Sequence, residues 1–270
     1  MTLSLDFGVA GVSITPGFIY ENTEEIAMNV RLVAAILATT ALSGCFGAGM
    51  TPNELLEQME AQKPKLEAAW NQTTTIPEGT KATYSGSAVM GYGRVPAEGE
   101  VIPVPENVLL GQMAMEADFA ADGGSLKGSL SGFHATDGSR LTREQFLAIK
   151  HNRLDRLSPV ERAGIGLVFD TPVSGDISFS GPLVEGDPDP GHHLPPPGKF
   201  YWVDMDGELD NDGQIVTVGG KSRIMIVGEN AGAATLTGSP MYGAEEYALQ
   251  VTADGEAQAA TINGFTIKDE

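Results

Sequence analysis

Cysteine is almost absent from this chain: Cys45 is the only one among 270 residues. One cysteine cannot form a disulfide within the chain, so no disulfide framework stabilises the fold. Residues 45–270 are numerous enough to bury a large core as one barrel or sandwich domain. We therefore expect the stability of the protein to come from the burial of apolar side chains.

Positive charge is also scarce. The chain has 16 Lys and Arg residues against 36 Asp and Glu residues, which gives a formal net charge of −20 at neutral pH. A surplus of this size repels phosphate backbones, so nucleic acid is excluded as an expected partner. Any electrostatic attraction would be to cationic proteins or ligands. We expect the protein to be a monomer.

Recognisable catalytic patterns are missing. The sequence has no Gly-x-Ser-x-Gly elbow, no His-Glu-x-x-His and no phosphate-binding glycine loop ahead of a helix. Carboxylates are abundant, so an envelope hydrolase that uses two of them stays open as an alternative, although nothing selects the pair. We predict a protein that is not an enzyme and has no catalytic residue, bound metal or cofactor.

Long apolar runs are missing as well. Residues 32–42 are apolar, but they are fewer than the roughly 18 to 20 residues that cross a bilayer, and Met28 and Arg31 stand just before them. This order is typical of an export signal. The next residues, Leu-Ser-Gly-Cys at 42–45, resemble the lipobox of bacterial lipoproteins. That resemblance implies that Cys45 receives the lipid and becomes the mature N-terminus.

The resemblance also implies a location. Lipidated Cys45 would attach the exported protein to a membrane, and Phe46 in the next position, rather than Asp, fits transfer to the outer membrane under the sorting rules of that family. We therefore expect an outer-membrane lipoprotein of a Gram-negative bacterium, with display at the cell surface as a further expectation. The predicted segments are an upstream over-extension (1–27), a lipoprotein signal peptide (28–44), a tether with a helix (45–79) and a β-barrel domain (80–270).

A short helix is predicted ahead of the barrel. Thr51 is placed as its N-cap, Pro52 as its first residue and Glu54 as the partner that closes a capping box. Apolar residues then recur at helical spacing: Leu55, Met59, Leu66 and Trp70. Pro64 should kink the helix or divide it into two.

From residue 82 onwards the apolar residues alternate with polar ones, as half-buried strands require. Glycine-containing turns separate the segments, for example at 122–124 and 211–213. The segments predicted as strands are 82–91, 113–119, 125–133, 175–184, 199–209, 214–219, 222–228, 233–241, 246–253 and 259–267. We predict an all-β fold, an antiparallel meander barrel of eight or slightly more strands, because closure removes unpaired edges.

Residues 139–164 interrupt the strands with helix signals. Thr142 with Gln145, and Ser158 with Glu161, both indicate capping boxes. The segment carries six basic and three acidic residues in an otherwise acidic protein. One interpretation is the solvated face of helices that cover the barrel. The other is a surface that contacts an anion or a partner, with three candidate ligand-binding residues: Arg143, Arg153 and Arg156.

A proline-rich loop gathers Asp187, Asp189, His192 and His193 among five prolines. Adjacent histidines on an extended chain point to opposite sides, and the prolines stiffen the backbone against wrapping around an ion. An exposed loop is therefore one interpretation. The other is a haem, metal or small-ligand carrier that uses His192 and His193.

Several short motifs resemble the barrel of transferrin-binding-protein-B-like surface lipoproteins. They are Tyr84-x-Gly86, Asp118-Phe119, Leu126-x-Gly128-x-Leu130 and Tyr242-Gly243. The resemblance implies an eight-stranded barrel on an acylated tether at the outer membrane, binding a protein or a small solute. This chain has room for one barrel, whereas transferrin-binding members are usually longer with two lobes, so no binding residue is transferred from that family.

Overall fold

The protein forms a closed, eight-stranded antiparallel β-barrel with three helices, which confirms the predicted fold class. The computed structural model describes residues 49–96, 104–121, 123–184, 198–239 and 248–270. The predicted over-extension, signal peptide and lipidation site Cys45 lie outside the described residues, and so do His192 and His193.

The strands follow one another around the barrel in chain order, and the last one pairs with the first. Their bounds are β1 Lys81–Gly93, β2 Asn107–Asp118, β3 Ser125–Asp137, β4 Thr171–Pro172, β5 Ser174–Pro182, β6 Lys199–Asn211, β7 Gln214–Val227, β8 Ala233–Gly238, β9 Leu249–Ala253 and β10 Glu256–Lys268. All pairs are antiparallel, and β4 is a two-residue addition to β3. Closure comes from ten residue pairs between β1 and β10, from Tyr84 with Lys268 to Gly93 with Ala259.

One strand position of the barrel is shared by two segments. β8 pairs with the C-terminal half of β7, and β9 pairs with its N-terminal half, while both also pair with β10. The Leu249 amide donates to the Ser239 carbonyl, so the chain returns to the place where it left the sheet. Without β4, nine strands remain. Because β8 and β9 share one position, these nine strands fill the eight positions of the barrel.

The interior of the barrel is filled by side chains. The inward-facing residues of the described strands form one continuous apolar cluster, and its largest fully buried members are Tyr84, Met90, Tyr92, Met113, Phe133 and Phe179. An eight-stranded barrel has an interior just wide enough for side chains to fill. The barrel is therefore a packed core, and a ligand site has to lie on its outer wall or its loops.

Three helices cover one part of the outer wall. Their bounds are α1 Pro52–Trp70, α2 Arg143–Lys150 and α3 Pro159–Val168. Each begins at a complete capping box, as predicted, with Thr51, Thr142 and Ser158 as the N-caps. Short 3₁₀ turns at Gly138–Arg140 and Leu154–Arg156 complete the insertion between β3 and β4.

The helices are held on the wall by apolar contacts. Leu55 and Met59 of α1, with Phe146, Ile149 and Ile165 of the insertion, form a second buried cluster. Outward-facing residues of the barrel complete it: Val89 on β1, and Val108 and Leu110 on β2. Strands β1 and β2 are therefore buried on both faces where the helices lie.

This two-sided burial explains the main error in the predicted strands. The prediction began the second strand at residue 113, whereas β2 begins at Asn107. Leu109 points into the barrel and Val108 points under the helices, so residues 107–112 do not alternate between apolar and polar types. The periodicity that reveals a half-buried strand is absent there.

Two further expectations need correction. Helix α1 runs through Pro64 as one helix, so the proline does not divide it into two, which was one of the two predicted effects. The interior proline costs about 3 kcal/mol, and burial of Met59 before it and Leu66 after it offsets that cost. Strand β7 also runs unbroken through Gly219 and Gly220, where it changes partner from β9 to β8.

Gly86→Ala should destabilise the barrel where β1 pairs with β10. Gly86 lies opposite Thr266 on β10, and a Cβ added there would overlap the carbonyl oxygen of Phe265, so β1 and β10 would have to separate. We expect the free energy of unfolding to fall by about 1–3 kcal/mol. The matched control is Gly219→Ala, because a Cβ at that strand position meets nothing within 4 Å. Equal stability of the two variants, measured by urea unfolding, would contradict this role of Gly86.

Candidate functional site

A pocket of about 380 Å³ lies on the outer wall of the barrel, beside the C-terminal end of α1 and the C-terminal end of α2. Helix α1 contributes the face that carries Lys63, Leu66 and Trp70, at spacings of three, four and seven residues. The end of α2 contributes His151, Asn152 and Arg153, and the wall contributes Thr235 and Phe265. Its size falls within the roughly 300–1,000 Å³ range of small-molecule sites.

The base of the pocket is a pair of neighbouring residues in the barrel wall. Thr235 on β8 and Phe265 on β10 lie directly opposite each other in the ladder. Phe265 is partly buried and packs against the apolar clusters beneath both α1 and the insertion. Together with Leu66 and Trp70 it gives the pocket an apolar side.

The polar side of the pocket is built by the way α2 ends. Asn152 adopts a left-handed backbone conformation with φ of 50°, a conformation that asparagine tolerates better than most residues. The amide of Arg153 donates to the Ala148 carbonyl at 2.7 Å and the amide of Asn152 donates to the Ile149 carbonyl at 3.2 Å. This is the Schellman pattern of a helix C-terminus. It stops α2 at the edge of the pocket and holds residues 151–153 there.

Three buried polar atoms at this position have no hydrogen-bond partner among the described residues. They are Nδ2 and Oδ1 of Asn152, which is only 3% exposed, and Nε of Arg153. An unsatisfied buried donor or acceptor costs about 1–3 kcal/mol. Four other unpartnered atoms, in Gln62, Gln112, Arg162 and Ser222, lie outside the lining of this pocket. The pocket therefore has an apolar side, and two of its lining residues carry buried polar atoms that lack a partner.

Ion pairs fix the two sides of the pocket to each other. Lys63 on α1 lies 2.5 Å from Asp155 in the insertion and 3.4 Å from Glu67 on its own helix. The hydrogen bond from Lys63 lowers the pKa of Asp155, which therefore stays ionised. Arg153 Nε lies 3.9 Å from Asp155, within ion-pair range but beyond hydrogen-bonding distance. Lys63 thus has its charge balanced, while Arg153 keeps a donor without a hydrogen bond.

Positively charged residues surround His151 at the edge of the pocket. Burial lowers its pKa below the ordinary value, and the charges of Lys150, Arg153 and Arg156 lower it further. At neutral pH its imidazole is therefore uncharged. Burial also lowers the pKa of Lys150, whose ammonium group lies 5.9 Å from the centre of the Phe146 ring. Within a strongly acidic protein, this edge favours negative charge.

The structure places the three candidate arginines at different points of the insertion. Arg153 lines the pocket. Arg156 is exposed on the following 3₁₀ turn, close enough to affect the pKa of His151. Arg143 is the first residue of α2 and the pocket lies at the last, so the eight-residue helix separates them by roughly 10 Å. Their ligand-binding roles remain predictions, and only Arg153 has the pocket beside it.

Other basic residues of the insertion are used within the protein. Arg140 pairs with Asp170 at 2.8 Å, and Arg162 forms an ion pair with Glu60 on α1. These contacts fit the interpretation of the insertion as a cover for the barrel. The positive edge around His151 fits the other interpretation, an anion-contacting surface. The insertion thus combines features of both.

Sequence reasoning missed the residues that define the pocket. Trp70 was expected only as a packing residue of α1, and Asn152 and Lys63 were not singled out. The available signal is local: an asparagine shortly after a capped helix indicates the left-handed residue at which a helix ends. The contact of this end with α1 joins positions almost 90 residues apart, which no local pattern reveals.

A second pocket, of about 510 Å³, lies where β2 begins and β3 ends. Glu106 and Asp137 line it, which makes it the geometric candidate for the hydrolase alternative. Asp137, however, accepts a 2.8 Å hydrogen bond from the Ser139 amide as the N-cap of a 3₁₀ turn, and that bond lowers its pKa. None of the unpartnered buried atoms belongs to its lining. We therefore assign Asp137 a structural role and favour the first pocket as the ligand site.

The described ranges contain no group of three or more His, Cys, Asp or Glu residues arranged to hold a metal ion. They also contain no helix with the length and apolar character to cross a bilayer.

In comparisons with known proteins, no family model matches the chain, and no curated protein or solved structure matches it either.

His151→Gln should make the stability of the protein less sensitive to acid. Because the pKa of His151 is lower in the folded protein than in the unfolded chain, the unfolded chain binds the proton more readily. Stability is therefore lost as the pH falls through the ordinary value of about 6.5. Thermal unfolding at about pH 7.5 and about pH 5.5 should show a larger loss in the parent than in His151→Gln. Equal losses would contradict the assignment.

Proposed function

We propose that this protein is an exported, lipid-anchored binding module of the Gram-negative outer membrane. It holds a small solute, without transforming it, in the pocket formed by α1, the end of α2 and the barrel wall. The lipid on Cys45 supplies the location, and the barrel supplies a rigid scaffold. The resemblance to transferrin-binding-protein-B-like lipoproteins is consistent with this proposal.

One observation carries the choice of the site: the unpartnered Asn152 amide and Arg153 Nε beside the apolar residues Trp70 and Phe265. Buried polar groups in folded proteins nearly always have partners, so these groups are accounted for by a bound water, ion or ligand. A site with an apolar side and a few convergent polar groups is the usual form of a small-molecule site. The pocket therefore favours a small solute over a large protein as the bound partner.

A binding role suits the chemical state of the lining groups. The ammonium group of Lys63 is paired with Asp155 and Glu67, and the guanidinium group of Arg153 offers only hydrogen-bond donors. Glu67 is the single carboxylate in the lining, and it is paired with Lys63. A mechanism based on two carboxylates has no second carboxylate here. The cationic groups of the lining are suited to holding a charged ligand in place.

Cys45→Ala should release the protein from the membrane. Without the cysteine no acyl chain is attached, and an acyl anchor is what the proposal requires for membrane retention. Cell fractionation should find the variant in soluble fractions and the parent in the outer membrane. Ser43→Ala, which keeps Cys45 and a small residue before it, is the matched control and should stay with the membrane. Membrane retention of Cys45→Ala would refute the anchor.

Low-mass solutes from the growth environment should stabilise the protein through Trp70. A ligand that binds only the folded state raises the melting temperature, by an amount that corresponds to about 2.7 kcal/mol at a hundred times its Kd. We expect an ultrafiltered extract to raise the melting temperature of the detergent-purified parent and of Trp202→Phe, but not that of Trp70→Ala. Trp202, the second tryptophan of the chain, serves as the control. No rise in any of the three proteins would refute small-solute binding.

A further inference from the structure

One face of helix α3 is apolar and exposed to solvent. It consists of Val160, Ala163, Gly164 and Leu167, whose spacings of three, four and seven residues place them on the same side of the helix. Val160 is 82% exposed and Leu167 is 72% exposed, which makes them the two most exposed large apolar side chains of the described ranges. A Cβ added to Gly164 meets nothing within 4 Å, so the middle of this face is open. These four residues form the α3 face.

The fold makes no use of the α3 face. Ile165, on the other side of the helix, is fully buried in the cluster that α1 and the insertion form on the barrel wall. That side supplies the apolar contacts which hold α3 in place. Neighbouring apolar residues left at the surface of a folded protein mark contacts with another protein or with a membrane.

The size of the α3 face favours a membrane. A helix of ten residues is about 15 Å long and about 10 Å wide, so one face of it covers roughly 150 Å². Stable protein–protein interfaces bury about 800 Å² on each partner. A contact with a membrane can be much smaller when a lipid anchor already holds the protein there, because the second contact is then intramolecular.

The start of the described chain lies beside α3. Nε2 of His134 on β3 donates to the carbonyl of Met50 at 3.1 Å, and β4, the strand that follows α3, pairs with β3 at His134. A Cβ added to Gly166 of α3 would overlap the side chain of Asn53, in the first turn of α1. Met50, from which the chain leads back to Cys45, is therefore a neighbour of α3.

The short tether limits which side of the barrel can meet the bilayer. Cys45 precedes Met50 by five residues, and an extended chain of that length spans at most about 18 Å. The acyl chains proposed on Cys45 hold that residue at the bilayer surface. Strand β3 has 13 residues and is roughly 40 Å long, so the far end of the barrel lies beyond the length of the tether. The anchor therefore brings the side with α3 to the membrane.

The charges around α3 suit an anionic membrane. The insertion carries six basic and three acidic residues, whereas the whole chain has a net charge of −20. Arg156 is exposed two residues before Ser158, the N-cap of α3. Glu161, the one acidic residue of α3, accepts a 2.8 Å hydrogen bond from the amide of Ser158. Anionic headgroups attract basic residues beside an apolar helix face and repel the acidic remainder of the protein.

We propose that the α3 face docks on the anionic lipid bilayer that holds the lipid anchor. Val160 and Leu167 enter the boundary between headgroups and acyl chains, and Arg156 contacts headgroup phosphates. This contact fixes which side of the barrel faces the membrane. The inference rests on the lipid anchor of the proposed function and adds a second, weaker attachment to the same membrane.

The test places a fluorescent label on the α3 face. Acylation of the Cys45 thiol leaves the protein without a free thiol, because the chain has no other cysteine. Leu167→Cys then provides a single site for a thiol-reactive nitrobenzoxadiazole dye. The labelled, acylated protein is purified in detergent and reconstituted into vesicles of phosphatidylethanolamine and phosphatidylglycerol. Nitroxide-labelled acyl chains in the vesicles quench a dye that enters the bilayer.

Val184→Cys is the matched control. Val184 is also strongly exposed, at 65%, and it lies just after β5. The amide of the adjacent Leu183 donates to the carbonyl of Gly124, and Gly124 precedes His134 by ten residues, roughly 30 Å along β3. A dye at position 184 is therefore far from the end of the tether.

We expect nitroxide-labelled lipids to quench the dye at position 167 at least about twofold more strongly than the dye at position 184. Equal quenching at the two positions, or no quenching at position 167, would overturn the proposal. Emission at position 167 that moves to shorter wavelength without nitroxide quenching would indicate a second copy or another protein on the α3 face, and it would overturn the proposal as well.

Further variants assign the contact to the named side chains. Val160→Gln, added to Leu167→Cys, should reduce the quenching at position 167 by about half, because a polar amide opposes entry into the boundary region. Ile215→Gln, at an exposed apolar residue on β7, should leave the quenching unchanged. Thermal unfolding checks that each variant is folded. Unchanged quenching in folded Val160→Gln would overturn the assignment.

Arg156→Gln tests the electrostatic part of the contact. It should reduce the quenching at position 167 in vesicles that contain phosphatidylglycerol, because one attraction to the headgroups is lost. In vesicles of phosphatidylethanolamine and phosphatidylcholine, which have no net charge, Arg156→Gln and its parent should be quenched equally. An equal effect of Arg156→Gln in both kinds of vesicle would contradict the contact with anionic headgroups.

Failure of the docking differs from failure of the anchor. The parent protein, which has no introduced cysteine, should not react with the dye. Labelling of the parent would show that the Cys45 thiol is free, which would refute the lipid anchor of the proposed function. An unlabelled parent, together with a lack of quenching at position 167, would refute the docking alone.

Discussion

The pairing of β1 with β10 is the constraint on which the rest of this structure depends. Ten residue pairs join the first and last strands, so the sheet has no free edge and its inner face becomes a closed core. A sheet that did not close would expose the ladder of β1 and the apolar residues Tyr84, Met90 and Tyr92. The glycine at position 86 permits the close approach of the two strands, because a Cβ there would overlap the Phe265 carbonyl oxygen.

Closure also decides where the helices lie. Strand β1, which closes the barrel, and its neighbour β2 carry outward-facing apolar residues, such as Val89 and Val108, that have to be covered. Helix α1 and the insertion provide it, and the ion pairs of Lys63 with Asp155 and of Glu60 with Arg162 join the two covers. The pocket beside Trp70 and Asn152 forms where this cover stops. Helix α1 ends at Trp70 and α2 ends at Lys150, and the wall beyond them has Thr235 and Phe265 at its surface.

The proposed function joins two independent lines of argument. The lipid anchor is inferred from the order of Arg31, the apolar run and Cys45 in the sequence. This inference does not depend on the fold. The site is read from the described structure, and it does not depend on the location of the protein. The packed interior links them, because it leaves the outer wall and the loops as the places for a ligand. In the proposed function, the barrel is the scaffold that holds the two helix ends, and preformed groups lower the cost of binding.

The sequence by itself determined the class of fold, the three capping boxes and the presence of a helical insertion, because alternation and capping are local patterns of a few residues. It placed Arg153 among the candidate residues for the same local reason, a cluster of charge. Only the tertiary structure decided that β1 meets β10, that residues 107–112 form a strand buried on both faces, and that Trp70 and Asn152 line one pocket. Each of these facts joins parts of the chain that lie far apart in sequence. Such contacts are set by how closed layers pack around a shared core, and that packing leaves no local periodicity to read.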